Sequence, residues 1–187
     1  MHQKILVRKE YQILRKKKYY EVSKYFFYPF LDLIKKNFKK KKIKLALYYP
    51  SLFEINVLKL LKINHIANQN LLLPVVKENN SMKFYPWKKN EALQVNRYGM
   101  LEPFKSTHYT PDIMLVPLLA FDKYKYRLGY GKGFYDRYLN KYLKKFKNIL
   151  TVGVAFSFQK HHKLPINKKD VKLNYILTEK GIYLWNY

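Results

Sequence analysis

Between Ile113 and Arg137 an apolar run, Ile113 to Phe121, gives way to a loop with glycines at three alternate positions, Gly129, Gly131 and Gly133, and then to an amphipathic helical pattern. This order constrains the chain more than any other feature. A short apolar run fits a buried strand, and glycines allow positive φ and close approach of a ligand to the backbone. A loop that leaves a strand and enters a helix presents free N–H groups at the positive end of the helix dipole, which favours an anion. Arg127 and Lys132 add positive charge, and Asp136 in the first helical turn stands where it can hold a metal ion bound to phosphates. The spacing is neither a Walker A loop nor the GxGxxG fingerprint. Taken alone it also fits a tight structural connection, with Asp136 favouring the helix dipole.

The rest of the chain alternates in the same way. Helical patterns are expected over residues 3–18, with Ile5, Leu6, Ile13 and Leu14 near one face, and over 20–37, with a kink or boundary at Pro29. Lys39 to Lys42 reads as a solvated turn. Strands are expected at Ile43–Tyr49, Leu71–Val76, Met82–Tyr85 (an edge), Ile113–Val116, Leu150–Phe156 and Tyr175–Thr178. Glu54 is expected to open a helix carrying Ile55, Leu58 and Leu61, and Phe134–Phe146 to form another with Tyr135, Tyr138, Leu139, Tyr142 and Leu143 on its apolar side. Residues 86–111 read as loop. Strands separated by helices make an α/β fold with a mostly parallel central sheet, in a single domain over 1–187.

Composition narrows the function less than its extremes promise. The 187 residues carry 38 Lys and Arg against 12 Asp and Glu, a formal charge of +26, but only 5 of the basic residues are Arg. Arg is the side chain suited to bidentate contact with phosphate and guanine. The excess of Lys, with Ile, Asn, Tyr and Phe, also matches AT-rich codon usage, so no specific nucleic-acid partner is inferred. A chain without Cys has no disulfide, no thiolate metal site and no cysteine nucleophile. The longest apolar stretch is too short to span a membrane, and the basic start has no apolar core of a secretory signal, so a cytoplasmic protein is expected. His161 and His162 read as loop residues.

The segments Pro111–Asp122 and Arg127–Leu139, with AFD, RLGYGKG and YDRYL in order, strongly resemble the 5-formyltetrahydrofolate cyclo-ligase family. The resemblance extends through Lys4 and Arg8, Tyr48-Tyr49-Pro50 with Glu54, LPVV at 73–76, YGMLEP at 98–103, GVAF at 153–156 with Gln159, Asp170, and Thr178-Glu179. It implies a Rossmann-like three-layer α/β/α domain. It also implies an ATP- and Mg²⁺-dependent ring closure of 5-formyltetrahydrofolate, with or without a polyglutamate tail, to 5,10-methenyltetrahydrofolate, by a monomer.

By the same resemblance, ATP lies on Lys4, Arg8 and the stretch Arg127, Leu128, Gly129, Tyr130, Gly131, Lys132, Gly133, Phe134 and Tyr135. Arg127 and Lys132 act in catalysis, and Arg15 is a further candidate near the phosphate face. The folate lies on Tyr49, Glu54, Trp87 and the loop from Tyr130 to Phe134, with Tyr98 another candidate wall and Glu102 a structural residue. Glu54 accepts hydrogen bonds from the pterin ring. Asp136 and Asp170 hold magnesium. The family usually has Tyr at Phe134, His at Lys169 and Asp at Asn174.

Overall fold

A computed structural model describes residues 2–39, 42–104, 106–145 and 149–183. Lys40 and Lys41 of the lysine run and Phe146 of the expected helix lie outside the described residues. The helices are α1 (His2–Lys18), α2 (Tyr28–Asn37), α3 (Asn64–Ala67) and α4 (Phe134–Lys145). The strands are β1 (Lys44–Ala46), β2 (Asn70–Val76), β3 (Met82–Pro86), β4 (Leu93–Val95), β5 (Leu101–Pro103) and β6 (Ile113–Pro117). They continue with β7 (Ala120–Phe121), β8 (Arg127–Leu128), β9 (Leu150–Val154), β10 (Tyr175–Thr178) and β11 (Gly181–Ile182).

Seven strands form one sheet in the order β11-β10-β9-β6-β1-β2-β3. The five inner strands are parallel, and β3 and β11 close the edges antiparallel. The inner strands are apolar on both faces because both are covered. Leu45, Ile113, Leu115, Val152 and Leu177 point into one core with Phe30, Leu33 and Ile34 of α2. Ala46, Met114, Val116 and Ile176 alternate into a second core with Tyr138 and Leu139 of α4. This is the expected α/β architecture, with helices on both faces of a mostly parallel sheet. No helix among the described residues is long and apolar enough to cross a membrane.

Four expectations change. Helix 20–37 is a 3-10 turn, Lys24–Phe27, followed by α2, with Pro29 in the first turn of α2. Proline suits that position, where its missing N–H costs nothing, and it starts the helix rather than kinking one. No helix begins at Glu54. The chain makes a tight turn there, and a 3-10 helix, Val57–Lys62, starts only after Asn56, whose side chain caps Leu58 N–H at 3.2 Å. The stretch 86–111 contains the hairpin β4–β5. Buried Glu102 accepts from Val76 N–H and the Asn96 amide, tying that hairpin to β2, a structural role as expected.

The fourth change concerns α1. Ile5, Leu6 and Ile13 are exposed. The covered stripe is instead Val7, Tyr11 and Leu14, packed with Leu119, Ala120, Leu128 and Leu164 of a third cluster built around the hairpin β7–β8. Lys4, Arg8 and Arg15 lie along the same stripe, four and then seven residues apart. A face that mixes apolar and cationic residues escapes a search for apolar periodicity alone.

Gly153 in β9 has no space for a side chain. A Cβ there would come within 2.9 Å of Ile176, Leu118 and Leu173 side chains. Gly153→Ala should therefore lower stability by about 1–3 kcal/mol, through overpacking. Chemical denaturation measures this, and an unchanged midpoint would contradict the packing described.

Candidate active site

The winding of the sheet reverses at β1. The chain moves outward to β2 and β3, then returns to the other side of β1 as β6. Loops leaving the carboxyl ends of β1 and β6 therefore part in opposite directions and leave a crevice, the usual ligand position in such sheets. The loop after β1 brings Glu54. The chain after β6 forms the hairpin β7–β8 and then the glycine loop. Helix α1 lies against both.

Arg15 bridges the crevice. Its guanidinium is buried, at 2% exposure, and donates to Leu118 O at 3.3 Å on the β6 side and to Leu52 O at 2.6 Å on the β1 side. It also donates to the Tyr130 hydroxyl and lies 5.3 Å from the centre of that ring. The structure thus places Arg15 beneath the glycine loop rather than on an open phosphate face. Tyr130 in turn lies within electrostatic reach of Glu54, whose carboxylate accepts from Ser51 N–H at 2.9 Å and Ser51 Oγ at 3.3 Å. Glu54 is itself 7% exposed. Burial raises its pKa, opposed by the Ser51 N–H and by the charge of Arg15. The turn that carries Glu54 holds Leu52 and Phe53 both at positive φ, 46° and 63°. Such a pair of non-glycine residues persists only where its surroundings hold it.

Tyr135, in the first turn of α4, carries a buried hydroxyl with no hydrogen-bond partner among the described residues. Burial raises its pKa strongly, and the hydroxyl lies within electrostatic reach of both Glu54 and Arg127. Arg127 packs 6.0 Å from its ring centre. Arg127 is buried and pairs with Asp136 Oδ1 at 3.0 Å, while donating to Val171 O at 3.3 Å. Asp136 Oδ1 also accepts from Val171 N–H at 3.2 Å, which brings it beside Asp170. Asp170 Oδ2 accepts from Asn167 N–H at 2.6 Å and forms an ion pair with Lys4. Two ion pairs from four segments are thus linked through the backbone of Val171.

Arg8 runs along the glycine loop and donates from Nε to Gly129 O at 2.9 Å. Gly131 sits at φ 99°, and a Cβ added to it would lie only 3.3 Å from Arg8 Cζ, so loop and side chain fit only with glycine. Lys132 and Tyr98 meet at the mouth, with Lys132 Nζ 5.2 Å from the Tyr98 ring centre and Tyr98 5.4 Å from that of Phe134. Beside Lys4 a cleft of about 440 Å³ is lined by Gln3, Leu6, Val7, His161, Lys163, Leu164 and Pro165. That volume lies within the range of small-molecule sites.

Lys4, Arg8, Arg127, Tyr130, Tyr135, Glu54, Asp136 and Asp170 are therefore brought to one crevice. Trp87 is not. It is 6% exposed, belongs to the core beneath α2, and donates its indole N–H to Glu91 O at 3.3 Å. Tyr49 is exposed. Asn174 accepts from Thr151 N–H and Oγ at 2.8 Å, at the start of β9, so its amide oxygen fixes strand register. His161 meets the Tyr11 hydroxyl at 3.3 Å and borders the cleft. Sequence reasoning gives no role to Ser51 or to the cleft residues, which carry no motif.

A model of the 5-formyltetrahydrofolate cyclo-ligase family matches residues 32–179. A 5-formyltetrahydrofolate cyclo-ligase of Haemophilus influenzae is 33% identical over 141 residues, covering 72% of this chain and 74% of its own. One of Escherichia coli K12 is 32% identical over 126 residues, covering 64% and 68%. The solution structure of the Aquifex aeolicus 5,10-methenyltetrahydrofolate synthetase superposes with a TM-score of 0.73 at 32% identity, over 96% of this chain and 91% of that one. The Mycoplasma pneumoniae 5,10-methenyltetrahydrofolate synthetase gives 0.67 at 26% identity, over 94% and 98%.

Gly131→Ala, strained at φ 99° and pressed against Arg8, should move the loop's N–H groups, and with ATP as the probe of whether they hold phosphate it should weaken binding by at least about tenfold. Calorimetry on the folded variant measures it. Unchanged affinity would remove the loop from the nucleotide site.

Proposed function

The chain belongs to the 5-formyltetrahydrofolate cyclo-ligase family, and on that footing we propose that it closes 5-formyltetrahydrofolate to 5,10-methenyltetrahydrofolate with ATP and magnesium, releasing ADP and phosphate. The observation that carries this reading is the buried Tyr135 hydroxyl, unpartnered among the described residues and within electrostatic reach of both Glu54 and Arg127. A buried polar group without a partner costs free energy, and a ligand oxygen placed there removes the cost. In this reaction the formyl oxygen is the atom that must stand between the folate-side acid and the phosphate-side cations.

A formyl oxygen is a poor leaving group. Transfer of the γ-phosphoryl group of ATP to it releases ADP and leaves phosphate as the leaving group. The neighbouring folate nitrogen then attacks the formyl carbon, the ring closes, and the carbon–oxygen bond breaks with loss of phosphate. Transfer of this kind needs positioning and charge stabilisation more than a protein nucleophile.

The chain's residues divide accordingly. Glu54, ionised, accepts the adjacent N–H groups of the pterin ring. Tyr135 donates to the formyl oxygen and orients it. The N–H groups of Gly131 to Phe134 and the side chains of Lys4, Arg8, Arg127 and Lys132 hold the phosphates. The cleft beside Lys4 receives the base and ribose of ATP. Tyr98, Phe134 and Tyr49 form the outer wall for the benzoyl part of the folate.

Asp136 and Asp170 suit magnesium. Each engages one oxygen with a cation and a backbone N–H and has its second oxygen uncommitted among the described hydrogen bonds. No cluster of three or more ligating residues occurs among the described residues, which fits an ion that takes its remaining ligands from phosphate and water. Bound there, the ion would neutralise phosphate charge.

The test is the growth of methenylfolate absorbance with 5-formyltetrahydrofolate, ATP and Mg²⁺, each omitted in turn. Turnover should require all three; a folded chain that produces no methenylfolate contradicts the proposal. Asp136→Asn should lose at least about a hundredfold in turnover while staying folded by circular dichroism, because charge stabilisation is lost. Normal turnover at ordinary magnesium would remove the metal assignment. Because burial raises the Glu54 pKa, kcat/KM for the folate should fall, as pH is lowered, above the usual carboxylate range. In Glu54→Gln that acid limb should vanish and folate affinity drop more than ATP affinity; a retained limb would transfer it to another group.

A further inference from the structure

We propose that Arg15 is a positioning residue for the folate-side carboxylate: fastened to Leu118 and Leu52 on the two sides of the crevice and to the Tyr130 hydroxyl, its guanidinium holds the turn that aims Glu54 at the substrate. The inference rests on the reading of Glu54 given above.

Three observations carry it. Arg15 is a buried cation without a carboxylate in direct contact, since its hydrogen-bond acceptors are the Leu118 and Leu52 carbonyls and the Tyr130 hydroxyl. Its Nε has no partner among the described residues. A buried charge held this way is poor packing, and an apolar side chain would fill the place at less cost. A cation placed there at that cost fits a role for the charge itself. Second, the Leu52 carbonyl it grips belongs to the left-handed pair Leu52–Phe53, the turn that aims Glu54. Third, the hydroxyl it grips lies within electrostatic reach of Glu54, so Arg15 braces the glycine-loop residue that faces that acid.

The groups facing Glu54 come from every neighbouring element. They are Arg15 on α1, Ser51 on its own turn, Tyr130 on the glycine loop, Tyr135 on α4 and Tyr48 after β1. Tyr48, which donates to Ile55 O at 2.8 Å, and Tyr135 are neutral phenols whose ionisation is pushed up by burial. Arg15 is the one full positive charge among these neighbours. Because its bonds reach both sides of the crevice, the folate-side acid and the glycine loop are fixed to each other through one side chain.

The experiment compares Arg15→Met and Arg15→Lys with the unaltered chain in the methenylfolate assay, with KM for each substrate and the pH profile of kcat/KM for the folate. Arg15→Met should raise the folate KM by at least about tenfold with the ATP KM changed by less than about threefold, the sign of a lost ground-state contact on one substrate only. Its acid limb should move to higher pH, since the charge that favoured ionised Glu54 is gone. Arg15→Lys retains the charge without the planar fork, so its acid limb should stay within about half a unit of the unaltered chain while its folate KM still rises.

Both KM values rising together with an unmoved limb would make Arg15 a structural residue only and overturn the proposal. So would either variant matching the unaltered chain. If Arg15→Met does not fold, Arg15→Lys alone decides, through its folate KM. Absence of turnover in the unaltered chain would instead sink the proposed function, which keeps the two failures apart.

Discussion

The reversal of strand order at β1 is the constraint on which the site depends. It separates the loop after β1 from the chain after β6, opens a crevice at the carboxyl edge of the sheet, and leaves polar backbone there that the sheet does not satisfy. Arg15 spans that opening by donating to Leu52 O on one side and Leu118 O on the other. The residue comes from α1, which belongs to neither face of the sheet but packs on the hairpin β7–β8 through Val7, Tyr11 and Leu14. One helix therefore supplies Arg15 to the proposed folate side of the crevice and Lys4 and Arg8 to the proposed phosphate side. The covered stripe of α1 is at once a packing surface and a row of cations.

Charge is distributed in the site differently from the rest of the chain. With 38 basic and 12 acidic residues, acids are too few to give each lysine its own partner. Three of the acids nevertheless converge here, each held by a specific donor: Asp136 by Arg127, Asp170 by Lys4, and Glu54 by Ser51. The first two are balanced pairs that phosphate and a divalent cation can re-partner in concert, phosphate taking the cations and the metal the carboxylates. Glu54 is different. It is more deeply buried, its pKa is raised by that burial, and its ionised state depends on dipoles and on one nearby guanidinium. The surplus lysines, largely solvent-facing, add a positive field that favours approach of anionic substrates at low salt.

Much of this arrangement is legible in the sequence wherever the pattern is strictly local. Strands β2, β6, β9 and β10 read as apolar runs because both faces of the sheet are covered. Helix α4 reads as an amphipathic stripe, and the alternating glycines with Asp136 mark the phosphate side. Where the local pattern misleads, a long-range partner decides the outcome. Glu54 resembles a helix start because its downstream spacing is helical, but its carboxylate turns back to Ser51 and the helix begins only after Asn56. Trp87 resembles a pocket wall because its local segment is a loop, yet it fills the core below α2. Arg15 lies on the right face of α1, but nothing local distinguishes a guanidinium that meets solvent phosphate from one that closes a crevice. The buried hydroxyl of Tyr135 is invisible for the same reason.

The central claim is that both substrates meet at the β1–β6 crevice with the formyl oxygen at Tyr135. A crystal structure of the chain with 5-formyltetrahydrofolate and a non-hydrolysable ATP analogue tests this most directly. The pterin ring should lie on Glu54, the γ-phosphate beside Arg127 and Lys132, and the formyl oxygen within hydrogen-bond distance of the Tyr135 hydroxyl. A folate bound away from Glu54, or a nucleotide away from the glycine loop, would contradict it.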